Sequence, residues 1–180
     1  MPRILLVLVL VLTSMLAVQG VTGTPASAVS PATHSLTVAG TGVGMYPDYD
    51  PAVRRYAATT TADTGGTITV AAATSDPTGT VLVDGRPLSG GQVTLKGLSA
   101  GDEVSVIFVD SAGREADSVF VLPADFPALT ATINGPGITP GLVGLTLSQW
   151  AFNGWPQFDT VVDENGVPAW VRSSTSGGLD

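Results

Sequence analysis

The chain has 180 residues, no cysteine, and 7 basic against 15 acidic side chains, for a net charge of −8. Nucleic-acid binding needs clustered Lys and Arg, so this balance argues against that class and against an anionic membrane surface as partner. A zinc site of the Cys/His type is excluded, because there is no cysteine and only one histidine. Without disulfides, stability has to come from a packed apolar core.

The first 28 residues are typical of a secretory signal peptide. Met1-Pro2-Arg3 is a short positive end, residues 4–18 are almost wholly apolar, and Ala26-Ser27-Ala28 fits the small-residue cleavage rule. The apolar stretch is shorter than the roughly 20 residues that a spanning helix needs. We therefore predict a signal helix over 1–28 and a secreted, extracytoplasmic protein, with an uncleaved N-terminal anchor as the alternative.

Residues 35–124 carry short runs of alternating apolar and polar residues, separated by turn signals at the spacing of a sandwich. A flexible lead, 29–34, precedes them. No helical period is convincing, and two stacked antiparallel sheets are the natural way to bury such faces. We predict an all-β fold, a seven-stranded antiparallel β-sandwich (Ig-like), with 103–109 in mid-sheet. The predicted strands are Ser35–Val38, Arg55–Thr61, Thr67–Ala72, Thr80–Val83, Gln92–Leu95, Glu103–Val109 and Asp117–Leu122.

Turn residues support this division. Asp84-Gly85 predicts a hairpin, because glycine tolerates positive φ, and Thr64-Gly65-Gly66 predicts a tight turn. The domain should end near residue 122, since the prolines that follow cannot continue a central ladder.

Residues 125–180 differ in composition. A short strand is predicted over 142–147, and 157–162 should pair with 167–172 across a turn that contains Asn165-Gly166, a strong hairpin dipeptide. A propeller blade takes roughly 40–50 residues in four strands, so this segment is at most one partial blade. We expect 35–124 to fold alone and 130–180 to be loosely packed. The aromatic side chains concentrated here are Trp150, Phe152, Trp155, Phe158 and Trp170.

Five segments, in this order, resemble bacterial aryl sulfotransferases. The resemblance implies an N-terminal β-sandwich followed by a six-bladed propeller. It also implies transfer of sulfate from phenolic sulfate esters to phenols, without a nucleotide donor. The segments are Tyr46–Tyr56, Val83–Pro87, Leu98–Asp102, the junction Leu122–Pro127 and the first-blade hairpin Val162–Trp170.

The single histidine departs from this family. The resemblance implies a propeller histidine that takes up the sulfuryl group, but His34 lies before the first predicted strand and matches no such position. A nucleophilic imidazole needs a partner that orients it and donors for oxyanion charge, which a mobile lead does not supply. We therefore expect no sulfate transfer by this chain alone, and we assign no catalytic, cofactor-binding or metal residues and no cofactor.

Other acidic side chains are interpreted as structural. Asp48 and Asp50 could offer oxygens to calcium, but turns that contain Asp–Pro need carboxylates for capping. Two adjacent acidic pairs have side chains that point to opposite faces of a strand, which is poor geometry for acid–base catalysis, so they are predicted to be solvated turn charges. These pairs are Asp102-Glu103 and Asp163-Glu164.

The sequence leaves three functions open. The first is the N-terminal portion of an aryl sulfotransferase-like protein, with phenolic small molecules as partners only if a full propeller is present. The second is a free-standing secreted binding or adhesion module, and the third is a carbohydrate-binding module. Trp150, Phe152, Trp155 and Trp170 could form an aromatic platform for sugars or phenols, but propeller-core packing is the favoured interpretation. Neither nucleic acid nor, after signal cleavage, a membrane is expected as partner, and a homo-oligomer remains open.

Overall fold

The computed structural model describes residues 32–124, 126–127, 129, 141–147 and 157–174. The predicted signal peptide and Trp150, Phe152 and Trp155 lie outside the described residues. The described chain is all-β, with one short 3-10 helix at Ala62–Thr64. No helix in these ranges is long and apolar enough to span a bilayer. The strands are β1 His34–Ala39, β2 Gly44–Tyr46, β3 Arg55–Thr59, β4 Ile68–Thr74, β5 Thr80–Val83, β6 Arg86–Pro87, β7 Gln92–Leu95, β8 Glu103–Asp110, β9 Gly113–Val121, β10 Val143–Leu147, β11 Gln157–Val162 and β12 Pro168–Ser174.

The first sheet has three antiparallel strands in the order β1-β4-β7. Side chains alternate between the two faces of a strand, so β4 buries Ile68, Val70 and Ala72 and turns the residues between them outward. β1 follows the same rule and buries Leu36 and Val38. The period of two in the sequence therefore identifies the inner face of this sheet.

The second sheet has six strands in the order β2-β3-β9-β8-β5-β6. β3 and β9 run parallel, and the other neighbours are antiparallel. β8 lies between β9 and β5 and buries Val104, Val106 and Phe108. The prediction that residues 103–109 lie in the middle of a sheet is confirmed.

The inner faces of the two sheets share one hydrophobic core. Each large apolar side chain fully buried there contributes roughly 1.5–3 kcal/mol relative to an exposed one. The largest fully buried members are Tyr56, Phe108, Leu36 and Ile68. The core therefore joins β1 and β4 of the first sheet to β3 and β8 of the second.

Both predicted hairpin dipeptides lie in turns that join paired strands, but only Asp84-Gly85 has positive φ at both residues. Asp84 and Gly85 have φ values of 47° and 74°, and β5 and β6 pair across them. Gly166 has φ 76°, and β11 and β12 pair across the turn that contains it. The Asp163 carboxylate accepts hydrogen bonds from the backbone N–H groups of Asn165 and Val167, both at 2.9 Å.

Two strands were not predicted from the sequence. β2 has three residues and β6 has two, and both lie at edges of the second sheet. β6 includes Pro87, a residue type that argues against a strand in sequence-based reasoning and that sheets admit mainly at edges. Strands this short carry too few residues for an alternating pattern to be recognised.

Gly66 is a glycine at which the backbone of a neighbouring segment leaves no room for a side chain. Its φ is +65°, and a Cβ at this position would lie 2.5 Å from the Leu98 carbonyl oxygen. Gly65 has φ +57° but open space around its Cβ position. Both alanine substitutions should lose roughly 1–2 kcal/mol for the left-handed backbone. We expect Gly66→Ala to lose at least about 1 kcal/mol more than Gly65→Ala in urea unfolding, because overpacking adds to its cost. Equal losses would show that the contact with Leu98 relaxes freely.

Candidate functional site

One cluster of charged side chains contains the single histidine and bridges the two sheets. His34 is the first residue of β1 in the first sheet. The other members come from the second sheet, where the inner face is apolar until it reaches the β8–β9 hairpin. They are Asp110 at the end of β8, Glu115 and Asp117 on β9, and Arg54 immediately before β3.

Both ring nitrogens of His34 face carboxylates. Nε2 lies 2.6 Å from Asp110 Oδ2, and Nδ1 lies 3.3 Å from Glu115 Oε1. The imidazole stacks on the Phe108 ring, with centroids 4.3 Å apart and planes 5° apart, and its side chain is 9% exposed. A carboxylate only accepts hydrogen bonds, so both nitrogens have to donate and the ring has to be a cation.

The electrostatics agree with this geometry. Burial lowers the pKa of His34, but the hydrogen bonds and charges of Asp110 and Glu115 outweigh it, and the pKa lies above its ordinary value of 6.5. The hydrogen bond from His34 in turn lowers the pKa of Asp110. The two groups therefore hold each other in their charged forms.

His34 thus has a different place from the one expected. The sequence predicted it in the flexible lead 29–34, whereas the structure places it in β1, pinned between two carboxylates. The neighbouring Thr33 is also held, since Thr33 N–H donates to Ser75 Oγ at 2.8 Å and Ser75 N–H donates to the Thr33 carbonyl at 2.9 Å. The prediction that His34 lies in a mobile lead without a partner to orient it is wrong, because its side chain is 9% exposed and its partners, 76 and 81 positions away in sequence, come from the opposite sheet.

Arg54 connects the cluster to a buried carboxylate. One guanidinium nitrogen, Nη1, donates to Glu115 Oε1 and, at 3.2 Å, to Asp117 Oδ1. The Asp117 side chain is 0% exposed, whereas that of Arg54 is 48% exposed. Burial raises the pKa of Asp117, and the hydrogen bond and charge of Arg54 act in the opposite direction. Asp117 is therefore a buried charge that depends on one half-exposed partner.

This arrangement suits a structural role better than a catalytic one. A nucleophilic or general-base imidazole needs a nitrogen with a free lone pair. Both His34 nitrogens are directed at carboxylates within the described structure. The cluster can fasten the two sheets to each other, and it can respond to the loss of a proton.

The Asp48–Asp50 segment is a capped turn. Asp50 Oδ1 accepts from the Ala52 N–H at 2.8 Å, and the Tyr56 hydroxyl donates to the carbonyl oxygen of Asp50, at 2.8 Å. Asp48 is exposed. Within the described ranges no group of three or more His, Cys, Asp or Glu side chains is placed to hold a metal ion. The capping interpretation of Asp50 is confirmed.

The two adjacent acidic pairs are mostly turn residues, as predicted. Asp102 Oδ2 accepts from the Ser99 N–H at 2.8 Å, and Asp163 caps the β11–β12 turn. Glu164 is exposed. Glu103 differs from the prediction, because it forms an ion pair with Arg55, with 2.7 Å between Oε1 and Nη1.

The third sheet, in the order β10-β11-β12, packs through its hairpin on the second sheet. Val167 is fully buried together with Ala57, Phe120 and Leu122. The rings of Phe126 and Phe158 lie with centroids 5.2 Å apart. We expected loose packing over residues 130–180. The described β11–β12 hairpin instead packs against the second sheet through Val167, and Phe158 and Thr160 are buried.

Of the four residues proposed for an aromatic platform, the structure describes Trp170. Trp150, Phe152 and Trp155 lie outside the described residues. Trp170 is 46% exposed on β12 and lines an open cleft of about 370 Å³ together with Gly101, Pro123 and Arg172. Trp170 is therefore not part of the core shared by the first two sheets.

The sequence matches no protein-family model, and comparison with curated proteins and with solved structures gives no significant match. Function therefore has to be inferred from the residues themselves.

Proposed function

We propose that this chain is the N-terminal, non-catalytic portion of an exported aryl sulfotransferase-like protein. Residues 35–124 form an Ig-like β-sandwich, and residues 125–180 form a junction and the first, partial blade of a propeller. In this proposal the sandwich supports the blade, and the sulfate-transferring histidine belongs to a complete propeller.

The observation that carries the proposal is the third sheet. An antiparallel sheet of three strands, in the order β10-β11-β12, lies C-terminal to the junction Leu122–Pro127. Propeller blades are antiparallel sheets of four strands, and the Asn165-Gly166 hairpin that resembles the family's first blade joins β11 and β12 of this sheet. Val167 is buried together with Ala57, Phe120 and Leu122, which connects this sheet to the second sheet.

The connectivity of the first two sheets supports the Ig-like assignment. In an Ig-like sandwich, strands A, B and E are neighbours in one sheet, and C, F and G are neighbours in the other. The order β1-β4-β7 corresponds to A-B-E, and β5-β8-β9 corresponds to C-F-G. Among the described residues no strand occupies the D position beside β7.

A secreted binding or adhesion module is the second candidate. Val143 and Leu145 on β10, and Leu142 just before it, are exposed apolar side chains, and β10 is an edge strand of the described sheet. An exposed apolar edge of this kind pairs readily with another strand. A fourth blade strand that followed β12 in the chain would pair with β12, at the opposite edge, so the exposed edge of β10 is compatible with both functions.

Two experiments separate the candidates. We expect the purified chain to release no phenol from an aryl sulfate in the presence of a phenolic acceptor, because both nitrogens of its only histidine are engaged. We also expect the source gene to continue in frame past the codon for residue 180, with repeated sheet-forming segments and a histidine in a later repeat. Phenol release that His34→Gln abolishes would refute the non-catalytic assignment. A stop codon at that point would favour the binding module.

A further inference from the structure

We propose that the His34 cluster is a proton-sensitive clasp, that is, a set of ion pairs that holds the connection 47–54 against β9 only while His34 is protonated. When His34 loses its proton, Glu115 and Arg54 turn outward, and the connection 47–54 loosens from β9 while β1 stays paired with β4. The proposal concerns the described residues alone and is independent of the proposed function.

The cluster carries its smallest excess of negative charge while His34 is protonated. Three carboxylates, Asp110, Glu115 and Asp117, face two cations, His34 and Arg54, which leaves a net charge of −1. Loss of the imidazole proton changes the net charge to −2, although the side chains of Asp110 and Asp117 are only 3% and 0% exposed. Tyr49 also lies within this field, but burial and the charges of Asp117 and Glu115 raise its pKa to about 12, so it stays neutral.

Asp110 is held in place whether or not His34 is charged. Its Oδ1 accepts from the Ala112 N–H at 2.8 Å, and its Oδ2 accepts from the Thr74 hydroxyl at 3.4 Å as well as from His34. A neutral imidazole keeps one N–H, and the short contact to Asp110 retains it. The Nδ1 lone pair then faces Glu115 Oε1, which repels it.

Glu115 can respond by moving toward solvent. Its side chain is partly exposed, and its other partner, Arg54, is half-exposed. Arg54 is at the same time the charged partner of buried Asp117, whose second oxygen, Oδ2, has no hydrogen-bond partner within the described structure. Movement of Glu115 and Arg54 therefore uncovers the most deeply buried charge of the cluster and draws water to it.

β1 itself does not need to leave its sheet. It pairs with β4 from His34↔Thr74 to Ala39↔Thr69, and Thr33 and Ser75 bond each other just before it. The imidazole also keeps its apolar contact with Phe108. The expected change is thus confined to the connection 47–54 and to its contact with β9.

The pH dependence has a definite sign. The folded pKa of His34 is raised above 6.5, so the clasp contributes its full stability below 6.5 and loses it as the pH rises through the folded value. At the acid end, the lowered pKa of Asp110 means that its contribution is present above the unfolded value of 3.8 and is lost as the pH falls through the folded value.

Proton NMR of the full chain between about pH 5 and pH 10 tests the clasp directly, since the only histidine gives the only imidazole signals. We expect a titration midpoint above 6.5. Ser118 reports on the connection, because its N–H donates to the Arg54 carbonyl at 2.9 Å. Its hydrogen-exchange protection factor should fall about threefold or more across that midpoint, and the protection of Leu98 N–H should not.

Glu115→Gln provides the decisive variant, because an amide can donate to the neutral Nδ1. We expect this variant to lower the titration midpoint of His34 and to make the hydrogen-exchange protection factor of the Ser118 N–H independent of pH. Glu164→Gln is the control, with the same loss of charge at an exposed residue outside the cluster, and should leave both unchanged. A wild-type midpoint at or below 6.5, an unchanged midpoint in Glu115→Gln, or pH-independent protection of Ser118 would each overturn the proposal.

Discussion

Phe108→Ala is expected to lower the free energy of unfolding by about 3–5 kcal/mol, the usual cost of removing a core aromatic ring. Phe108 is fully buried in β8, the strand between β9 and β5, and its ring supports the imidazole of His34. The substitution removes packing from both sheets at once, because one face of the ring meets the first sheet. Equilibrium urea unfolding followed by circular dichroism measures the loss.

Val109→Ala is the matched control for this prediction. Val109 is the next residue in the same strand, and its side chain points to the opposite face, where it is 38% exposed. A surface substitution of this kind should change stability by no more than about 0.5 kcal/mol. Comparable losses in the two variants would mean that the inner face of the second sheet is not the core.

Arg54→Met should produce the second large effect, a loss of about 2–3 kcal/mol. Removing one partner of a buried ion pair costs about 3–5 kcal/mol, and the smaller figure allows for the solvent that already screens half-exposed Arg54. Arg114→Met, an exposed residue of the adjoining hairpin, is the control. Asp117→Asn in the Arg54→Met background should restore part of the loss, because it removes the uncompensated charge.

The loss in Arg54→Met should depend on pH. Burial raises the pKa of Asp117, which Arg54 counteracts, so loss of Arg54 raises it further. A carboxyl with a raised folded pKa stabilises the fold below its unfolded value of 3.8 and loses that contribution as the pH rises through the folded value. The penalty should therefore be full near neutral pH and shrink as the solution is acidified. A penalty independent of pH would exclude Asp117 as its source.

The strands of the core could be predicted because they are long enough to show an alternation of apolar and polar residues. β4, β5, β7 and β8 lie where their apolar period of two placed them. β9 begins at Gly113, earlier than expected, because its first residues are exposed apart from Glu115 and give no apolar pattern. Local sequence therefore identified strands by burial and missed the parts of strands that carry charge.

The His34 cluster could not be derived from sequence, because four of its members are brought to His34 only by the packing of two sheets. One signal was nevertheless available. His34, Leu36 and Val38 lie two residues apart, so extending the period of β1 backward places the imidazole on the inner face. A polar residue on an inner face needs partners, and that requirement would have directed attention to the inward carboxylates of the opposite sheet.

The parallel pairing of β3 with β9 determines when the second sheet can be completed during folding. Arg55 lies opposite Ser118, and β9 is inserted between β3 and β8, so the paired strands β2 and β3 are joined to the rest of their sheet only through β9. Contacts between residues so distant in sequence form slowly, since a long loop has to close first. During synthesis β2 and β3 can pair with each other, but they can join the second sheet only once residues 113–121 have left the ribosome.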